Sequence, residues 1–263
     1  MLIRSCGWLP VLPCRSRGEI DVLRGLISAI QFITSIPLGR TAIFEPRAMV
    51  PFFPVVGLIL GLVVAVFDFA ALYFWPVYVV AILDVVLLVL LTGALHLDGL
   101  GDTADGLYGR RPREQALKIM KDSRIGAMGL LAVVCVLAVK WAGLSSLGPH
   151  RSLLIITIPA FARSAMIFGI YFLEYGRPDG GTGRPFFESP LNKKSFIFVV
   201  IPAILCAFAG LRGIGLMLFF ILITGATIIF YQKRMGCITG DMLGAMVEIT
   251  EAGLFIVVSA GGI

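Results

Sequence analysis

The sequence predicts an all-α fold, a polytopic transmembrane helical bundle of about seven spans plus a short N-terminal apolar segment. The composition is 58% hydrophobic and only 14% charged, whereas about 25% of the residues in a soluble domain are charged. The mean hydropathy of +0.96 extends over the whole chain, so lipid is the expected solvent for most of it. The net charge of +6 is not concentrated in one face or tail, so no nucleic acid is expected as a partner.

The predicted elements begin after a leader. Residues 1–21 contain a short apolar stretch broken by two prolines, so we expect an amphipathic or disordered leader and no signal peptide. Residues 22–263 are expected to form a single integral-membrane domain. Its first apolar run, Leu26–Leu38, is too short to cross a ~30 Å hydrocarbon core upright. The longer predicted spans are Val50–Phe74, Val77–Leu97, Ile125–Leu147, Leu153–Leu173, Phe196–Leu211, Gly213–Tyr231 and Ile238–Ala260.

The basic residues divide the connecting loops into two sets. Fourteen Lys and Arg residues lie in loops 39–49, 98–124, 174–195 and 232–237, and two lie in loops 75–76, 148–152 and 212. Because cytoplasmic loops carry an excess of Lys and Arg, the first set is predicted to face the cytoplasm. Most of the acidic residues outside the apolar spans lie on the same side, so the chemistry is expected to face the cytoplasm too.

Three aspartates follow the predicted span Val77–Leu97, in the stretch HLDGLGDTADGLYGRR. In a helix, the i, i+4, i+7 spacing places Asp98, Asp102 and Asp105 within about 60° of one another. Like charges this close repel unless a cation lies among them, and hard oxygen ligands suit Mg²⁺ or Mn²⁺. The glycines between them are expected to expose backbone for a bulky ligand, or to bend the segment. The alternative is a solvated loop that caps the next helix, although a cap needs only one Asp.

A second motif, MKDSRIGAMG, overlaps the start of the predicted span Ile125–Leu147. Asp122 and Ser123 stand at predicted N-cap positions of that helix. Lys121 and Arg124 lie at its positive end, which favours the binding of phosphate oxygens.

The last predicted span, with its start KRMGCITGDMLGAMVEITEAG, carries acidic residues and glycines at four-residue spacing, which allows another helix to pack closely. Asp241, Glu248 and Glu251 are candidates for function because acidic residues within a membrane are costly. The alternative for the two glutamates is ion pairing with Arg163 or Lys140. Arg163 is accordingly either a phosphate clamp or a structural partner.

His96 has two equally supported interpretations, a structural hydrogen bond or a role at the site. The chain has two histidines and no Ser-His-Asp or Cys-His arrangement, so a nucleophile from the protein is not expected.

Several stretches together resemble the signature sequences of the cobalamin synthase family, adenosylcobinamide-GDP ribazoletransferase. They are FITSIPLGR, PFFPVVGLILG, HLDGLGDTADGL, MKDSRIGAMG, ARSAM and KRMGCITGDMLGAMVEITEA. The resemblance covers roughly residues 22–263. It departs from the family at Gly101, where alanine is common, and in the glycine-rich EYGRPDGGTGR.

The resemblance implies Mg²⁺-dependent phosphoryl transfer at the cytoplasmic face of a bacterial inner membrane. The substrates would be adenosylcobinamide-GDP and α-ribazole or its 5′-phosphate, and GMP would be released. For that reaction, Asp98, Asp102 and Asp105 are the expected metal ligands, and Asp241 completes the set. Lys121 and Arg124 are expected to stabilise phosphate charge, and Asp105 or Asp122 to take the hydroxyl proton. The further candidates for substrate binding are His96, Arg163 and Glu248.

Two other functions remain open at this point. A CDP-alcohol-type membrane phosphotransferase also uses several aspartates, but the Leu-Gly-Asp that follows Asp98-Gly99 does not fit its spacing. An ion-coupled transporter would use Asp241, Glu248 and Glu251 as a relay, but no inverted repeat is apparent. A lipid bilayer is an expected partner in every case, and the oligomeric state is left open.

Overall fold

The computed structural model describes residues 17–38, 44–177 and 180–260. Residues 1–16 of the predicted leader and the loop residues 39–43 and 178–179 lie outside the described ranges. Within those ranges the regular structure is helical, apart from one isolated parallel bridge between Tyr175 and Ile238. The α-helices are α1 (Arg17–Ile33), α2 (Pro46–Met49), α3 (Phe53–Ala71), α4 (Val77–Thr92), α5 (Leu95–Leu107), α6 (Arg113–Ile119), α7 (Ala127–Ser145), α8 (Arg151–Phe172), α9 (Val200–Ala207), α10 (Leu211–Met235) and α11 (Gly240–Ser259).

The all-α membrane fold is confirmed. In the described part of the chain, five helices are long and apolar enough to cross a membrane, and a bent helix pair raises the number to six. They are Pro46–Ala71, Ala127–Ser145, Arg151–Phe172, Leu211–Met235 and Gly240–Ser259, with the pair Val77–Thr92 and Leu95–Arg110 as the sixth. This number is close to the predicted seven.

Two predicted spans are interrupted. The run predicted as Val77–Leu97 stops at Thr92, because Gly93 adopts the left-handed conformation that ends helices, and α5 leaves at 91° to α4. The run Phe196–Leu211 begins in a 3-10 helix, Lys193–Val199, and continues into the eight residues of α9. The bend after α4 matters most, since it turns the three aspartates of α5 away from the axis of the preceding helix.

Close helix packing depends on glycines whose backbone touches a neighbour. A Cβ added at Gly57 of α3 would lie 2.5 Å from the Cα of Ala160 in α8, and one at Gly61 would lie 2.5 Å from the Ile156 carbonyl oxygen. Small residues bring membrane helices together in this way. Helix α11 packs on α5, α7, α8 and α10 and so forms the centre of the bundle.

A buried ion cluster lies at one end of the bundle. Arg151, at the start of α8, binds Asp68 of α3 with a shortest distance of 2.5 Å and lies 3.5 Å from Asp84 of α4. Both aspartates are buried. The cluster therefore joins three helices at the end opposite the α5–α11 contacts described below, and it accounts for two intramembrane acids.

Candidate active site

The connecting segments of the other end meet through backbone hydrogen bonds. The Gly176 amide donates to the Ile238 carbonyl, and the Ile238 amide donates to the Glu174 carbonyl, each at 2.9 Å. This bridge fastens the segment after α8 to the turn before α11. As a result Arg177 lies beside Asp241, at the start of α11.

Helices α5 and α11 touch at two glycines. A Cβ at Gly99 would lie 2.7 Å from the Asp241 carbonyl oxygen, and one at Gly244 would lie 3.2 Å from the Cα of His96. The predicted close packing of the last span is thus present at Gly244. Gly99, which was expected to expose backbone to a bulky ligand, lies against the backbone of α11. The contact brings Asp98 and Asp102 next to Asp241.

These three aspartates form the polar centre of the site. Asp98 is exposed, and Asp102 and Asp241 are half-buried. Asp102 lies near enough to Asp98, Asp241 and Arg177 to interact electrostatically with all three. Arg177 donates one hydrogen bond to Asp241 and one, of 3.1 Å, to the Met120 carbonyl. A guanidinium therefore offsets part of the negative charge of the cluster.

Asp105 has a different environment. Its carboxylate accepts hydrogen bonds from the amides of Gly126 at 2.7 Å and Gly129 at 2.9 Å. These amides belong to the first turn of α7, so Asp105 caps that helix from α5. A Cβ at either glycine would lie 2.4 Å from an Asp105 oxygen, so both glycines are required for this contact.

The predicted N-cap of α7 at Asp122 and Ser123 is wrong. The helix begins at Ala127, with Gly126 as its N-cap residue, and Asp105 occupies the positive end that was expected to bind phosphate. Asp122 instead binds Arg124 through side-chain hydrogen bonds of 2.6 and 3.0 Å and accepts the Arg124 amide at 3.1 Å. These bonds lower the pKa of Asp122 to about 2, which makes it a weak proton acceptor.

Arg163 and Glu248 belong to a buried ion network within the bundle. Lys140 of α7 lies 2.6 Å from Glu248 and 3.8 Å from Glu251, and Arg163 of α8 binds Glu251. All four side chains are buried, and their formal charges cancel. These contacts support the alternative in which the two glutamates form ion pairs with Arg163 and Lys140. The predicted role of Arg163 and Glu248 in substrate binding stays a prediction.

Two cavities adjoin the aspartate cluster. The first, which we call the basic cavity, has a volume of about 710 Å³ and takes its charge from Arg113, Lys118, Lys121 and Arg177, opposed by Glu114. The second, which we call the apolar cavity, has a volume of about 250 Å³. Asp98, Asp241 and His96 line it together with mainly apolar side chains. Since Arg177 lines the basic cavity and its partner Asp241 lines the apolar one, this ion pair lies between the two.

Comparisons with known proteins assign the chain to one family. The family model described as cobalamin-5-phosphate synthase matches residues 25–259. The chain belongs to this family. The resemblance found in the sequence motifs is therefore confirmed, over nearly the range expected.

Curated relatives of the cobalamin-5-phosphate synthase family carry the name adenosylcobinamide-GDP ribazoletransferase. The relative from Alkaliphilus metalliredigens is 39% identical over 255 residues, which cover 92% of this chain and 98% of that protein. The relative from Brevibacillus brevis is 35% identical, covering 89% and 97%, and that from Clostridium acetobutylicum is 33% identical, covering 87% and 92%. No solved structure matches the chain. The family assignment decides against the transporter and the CDP-alcohol phosphotransferase.

In this family member, the residue that sequence reasoning missed is Arg177. It lies in a glycine-rich segment without periodicity and is 64 positions from Asp241. Asp241 was the signal in the sequence that could have indicated such a partner, because an acidic residue at the start of a membrane span requires a counter-charge.

The predicted metal ligands do not all come together. Within residues 17–38, 44–177 and 180–260, no group of three or more His, Cys, Asp or Glu side chains is placed to hold a metal ion. Asp105 is bound to two amides, and Asp241 is bound to Arg177. Asp98 and Asp102 are left as the carboxylates that could hold Mg²⁺, and Mg²⁺ commonly uses only one or two carboxylates plus substrate phosphates and water. The donor chemistry fits such a shared site, and the metal stays a prediction.

Proposed function

We propose that this chain is an adenosylcobinamide-GDP ribazoletransferase that joins adenosylcobinamide-GDP to α-ribazole or its 5′-phosphate and releases GMP. The observation that carries the proposal is the arrangement of Asp98, Asp102, Asp241 and Arg177 between a basic and an apolar cavity. Phosphoryl transfer depends on position and charge neutralisation more than on covalent help from the protein. The three aspartates and Arg177, at one end of the bundle, can supply both the positioning and the charge neutralisation.

The reaction exchanges one P–O bond for another. The ribose hydroxyl oxygen of the acceptor forms a bond to the phosphorus on the cobinamide side of the pyrophosphate. The bridging P–O bond breaks, and its oxygen leaves with GMP. The hydroxyl proton passes to Asp98 or Asp102, since Arg177 already binds the Asp241 carboxylate. Asp105 and Asp122, the bases considered from the sequence, are less suited because amides or Arg124 already bind their oxygens.

The basic cavity suits the phosphates and nucleotide of the donor. Lys118, Lys121 and Arg177 line it, and Arg177 also reaches the aspartate cluster. Fixed cationic donors stabilise charge that develops on the transferred phosphoryl group and on the departing GMP. This part of the proposal retains the predicted role of Lys121 and adds Arg177 to it. Arg124, whose side chain is 87% exposed and bound to Asp122, has a weaker claim.

The proposal includes Mg²⁺ held by Asp98 and Asp102 together with oxygens of the donor pyrophosphate. When bound there, the ion would neutralise phosphate charge and orient the group that is transferred. The proposed location is the cytoplasmic (inner) membrane of a bacterium, with the site facing the cytoplasm. Its support is the excess of Lys and Arg in the loops at the site end of the bundle.

The test is GMP release by the purified protein reconstituted in lipid, with adenosylcobinamide-GDP and α-ribazole, with and without Mg²⁺. We expect release only with the metal, and loss of most of that rate in Asp102→Asn. The matched control is Glu45→Gln, which removes an exposed carboxylate at the start of α2. A folded wild type that releases no GMP would reject the function, and an active Asp102→Asn variant would reject the metal site alone.

A further inference from the structure

The apolar cavity combines a buried interior with a polar, exposed side. Its walls include Phe32 of α1, Met166 of α8, Leu243 of α11 and Phe186. The rings of Phe32 and Phe186 are in contact, with centroids 5.1 Å apart. Asp98, on the same cavity, is exposed. A ligand here would bury a flat apolar part against the aromatic side chains and keep a polar part next to the aspartates.

His96 is the unexplained polar group of this cavity. It is 2% exposed, and neither ring nitrogen has a hydrogen-bond partner among the residues that the structure describes. Buried polar groups almost always have such partners, so an exception calls for an explanation. A neutral imidazole offers one donor and one acceptor. An unprotonated ring nitrogen in the plane of an aromatic ligand would accept the hydrogen bond that the imidazole N–H can donate.

We propose that the apolar cavity binds the aromatic base of the acceptor nucleoside and that His96 hydrogen-bonds to the ring nitrogen of that base. The inference rests on the proposed ribazoletransferase function and assigns one of its two substrates to a place. The base of α-ribazole is a flat, alkyl-substituted benzimidazole whose second ring nitrogen is free to accept a hydrogen bond. The apolar side chains of the cavity match the ring system, and His96 matches its free nitrogen.

The volume of the apolar cavity indicates which of the two substrates it can hold. At about 250 Å³, the cavity is smaller than the roughly 300–1,000 Å³ of pockets that enclose a drug-sized ligand. It accommodates one ring system and cannot enclose a corrinoid. Guanine, the other candidate, is attached to phosphates that need cationic partners, and among the described residues no Lys or Arg lines the apolar cavity. The basic cavity, at about 710 Å³, is the better place for the guanine nucleotide.

The position of the base also places the reacting atom. In a nucleoside, the base and the ribose hydroxyls are separated by the width of one sugar. With the base against His96 and Phe186, the sugar lies towards Asp98 and Asp241, which line the same cavity. The acceptor hydroxyl thereby meets the donor phosphates at the Arg177–Asp241 pair. Recognition of the base then determines which nucleoside presents its hydroxyl.

The first experiment needs no variant. The reconstituted wild type is given adenosylcobinamide-GDP with either α-ribazole or the analogue in which a C–H group replaces the free ring nitrogen. We expect the KM for the analogue to be about tenfold higher, because the hydrogen bond to His96 is missing. Equal KM values for the two acceptors would overturn the inference while the GMP release itself upholds the function. Absence of GMP release with both acceptors would overturn the function, and the inference with it.

The second experiment compares His96→Phe with His96→Gln. We expect His96→Phe to raise the KM for α-ribazole about tenfold, to leave the KM for adenosylcobinamide-GDP unchanged, and to lose the distinction between α-ribazole and the analogue. His96→Gln, which keeps a donor and an acceptor, should recover part of the affinity. The matched control is Thr103→Val, since Thr103 is also buried on α5 with an unpartnered hydroxyl among the described residues but does not line the cavity. A rise confined to the KM for adenosylcobinamide-GDP would place the donor in this cavity and overturn the inference.

Discussion

Arg177 donates a hydrogen bond to the carboxylate of Asp241, and the pair connects the basic cavity to the apolar cavity. The two residues come from different parts of the chain, the segment after α8 and the start of α11. Their contact is supported by the backbone bridge between Tyr175 and Ile238. A single guanidinium thus lines the basic cavity while it neutralises one carboxylate of the aspartate cluster.

The first prediction concerns Arg177. We expect Arg177→Gln to lower kcat/KM for GMP release by roughly 10²–10³, the usual effect of removing a donor aimed at developing charge. Arg177→Lys should have an intermediate rate, since it keeps the charge but loses the planar fork that reaches both Asp241 and the Met120 carbonyl. The control is Arg24→Gln on exposed α1 surface. A near-normal rate for Arg177→Gln would remove this residue from the reaction.

The second prediction separates Asp105 from its neighbours on α5. Both its oxygens accept amide hydrogen bonds from the start of α7, so its main role is expected to be structural. Asp105→Ala should lower the free energy of unfolding by about 0.5–2 kcal/mol, the usual cost of losing a helix cap. Asp105→Asn, which keeps one acceptor oxygen, should lose less. Thermal unfolding in detergent measures the stability, and GMP release measures the activity.

Asp105 and Asp102 therefore form a matched pair. We expect Asp105→Asn to retain most of the GMP-release rate and Asp102→Asn to lose most of it. An Asp105→Asn variant that folds normally but is inactive would return Asp105 to the metal site predicted from the sequence.

Asp105 also shows what sequence reasoning could and could not give. The i, i+4, i+7 spacing was interpreted for a helix, and the structure places all three aspartates in one helix, α5. The partner of the third aspartate, however, lies 21 and 24 positions away, beyond any local pattern. The glycines of GAMG were the relevant signal, because only residues without a Cβ admit the Asp105 carboxylate. Apolar runs and charged loops reveal spans and sides, but contacts between distant segments require the packed fold.

The same limit applies to the break between α4 and α5. Hydropathy remains high through Leu97, so the sequence predicts one span, whereas Gly93 adopts a positive φ of 57° and Ala94 one of 58°. Hydropathy does not report backbone direction. The Gly-Ala pair at the end of the run is a weak signal, since glycine often ends a helix in this conformation.

The third prediction concerns the buried ion network. Glu248→Gln leaves the Lys140 charge without its partner at 2.6 Å, and removal of one member of a buried pair costs about 3–5 kcal/mol. We expect a marked fall in the unfolding temperature. The double variant Lys140→Met, Glu248→Leu should recover most of that loss, because the remaining Arg163–Glu251 pair is balanced. If Glu248→Gln unfolds as the wild type does but has a raised KM, Glu248 binds substrate, as the sequence alone allowed.

The last prediction concerns the contact between α5 and α11. A Cβ at Gly99 would lie 2.7 Å from the Asp241 carbonyl oxygen, and backbone cannot yield as a flexible side chain can. Gly99→Ala must therefore separate the helices that hold Asp98 and Asp102 next to Asp241. We expect a loss of about 1–3 kcal/mol in the free energy of unfolding and a larger loss in the GMP-release rate, since the site depends on this approach. Gly225→Ala is the matched control, because nothing lies within 4 Å of its added Cβ on α10 and alanine favours a helix by about 1 kcal/mol over glycine. Equal rates and unfolding temperatures for the two variants would show that the α5–α11 contact does not position the aspartates.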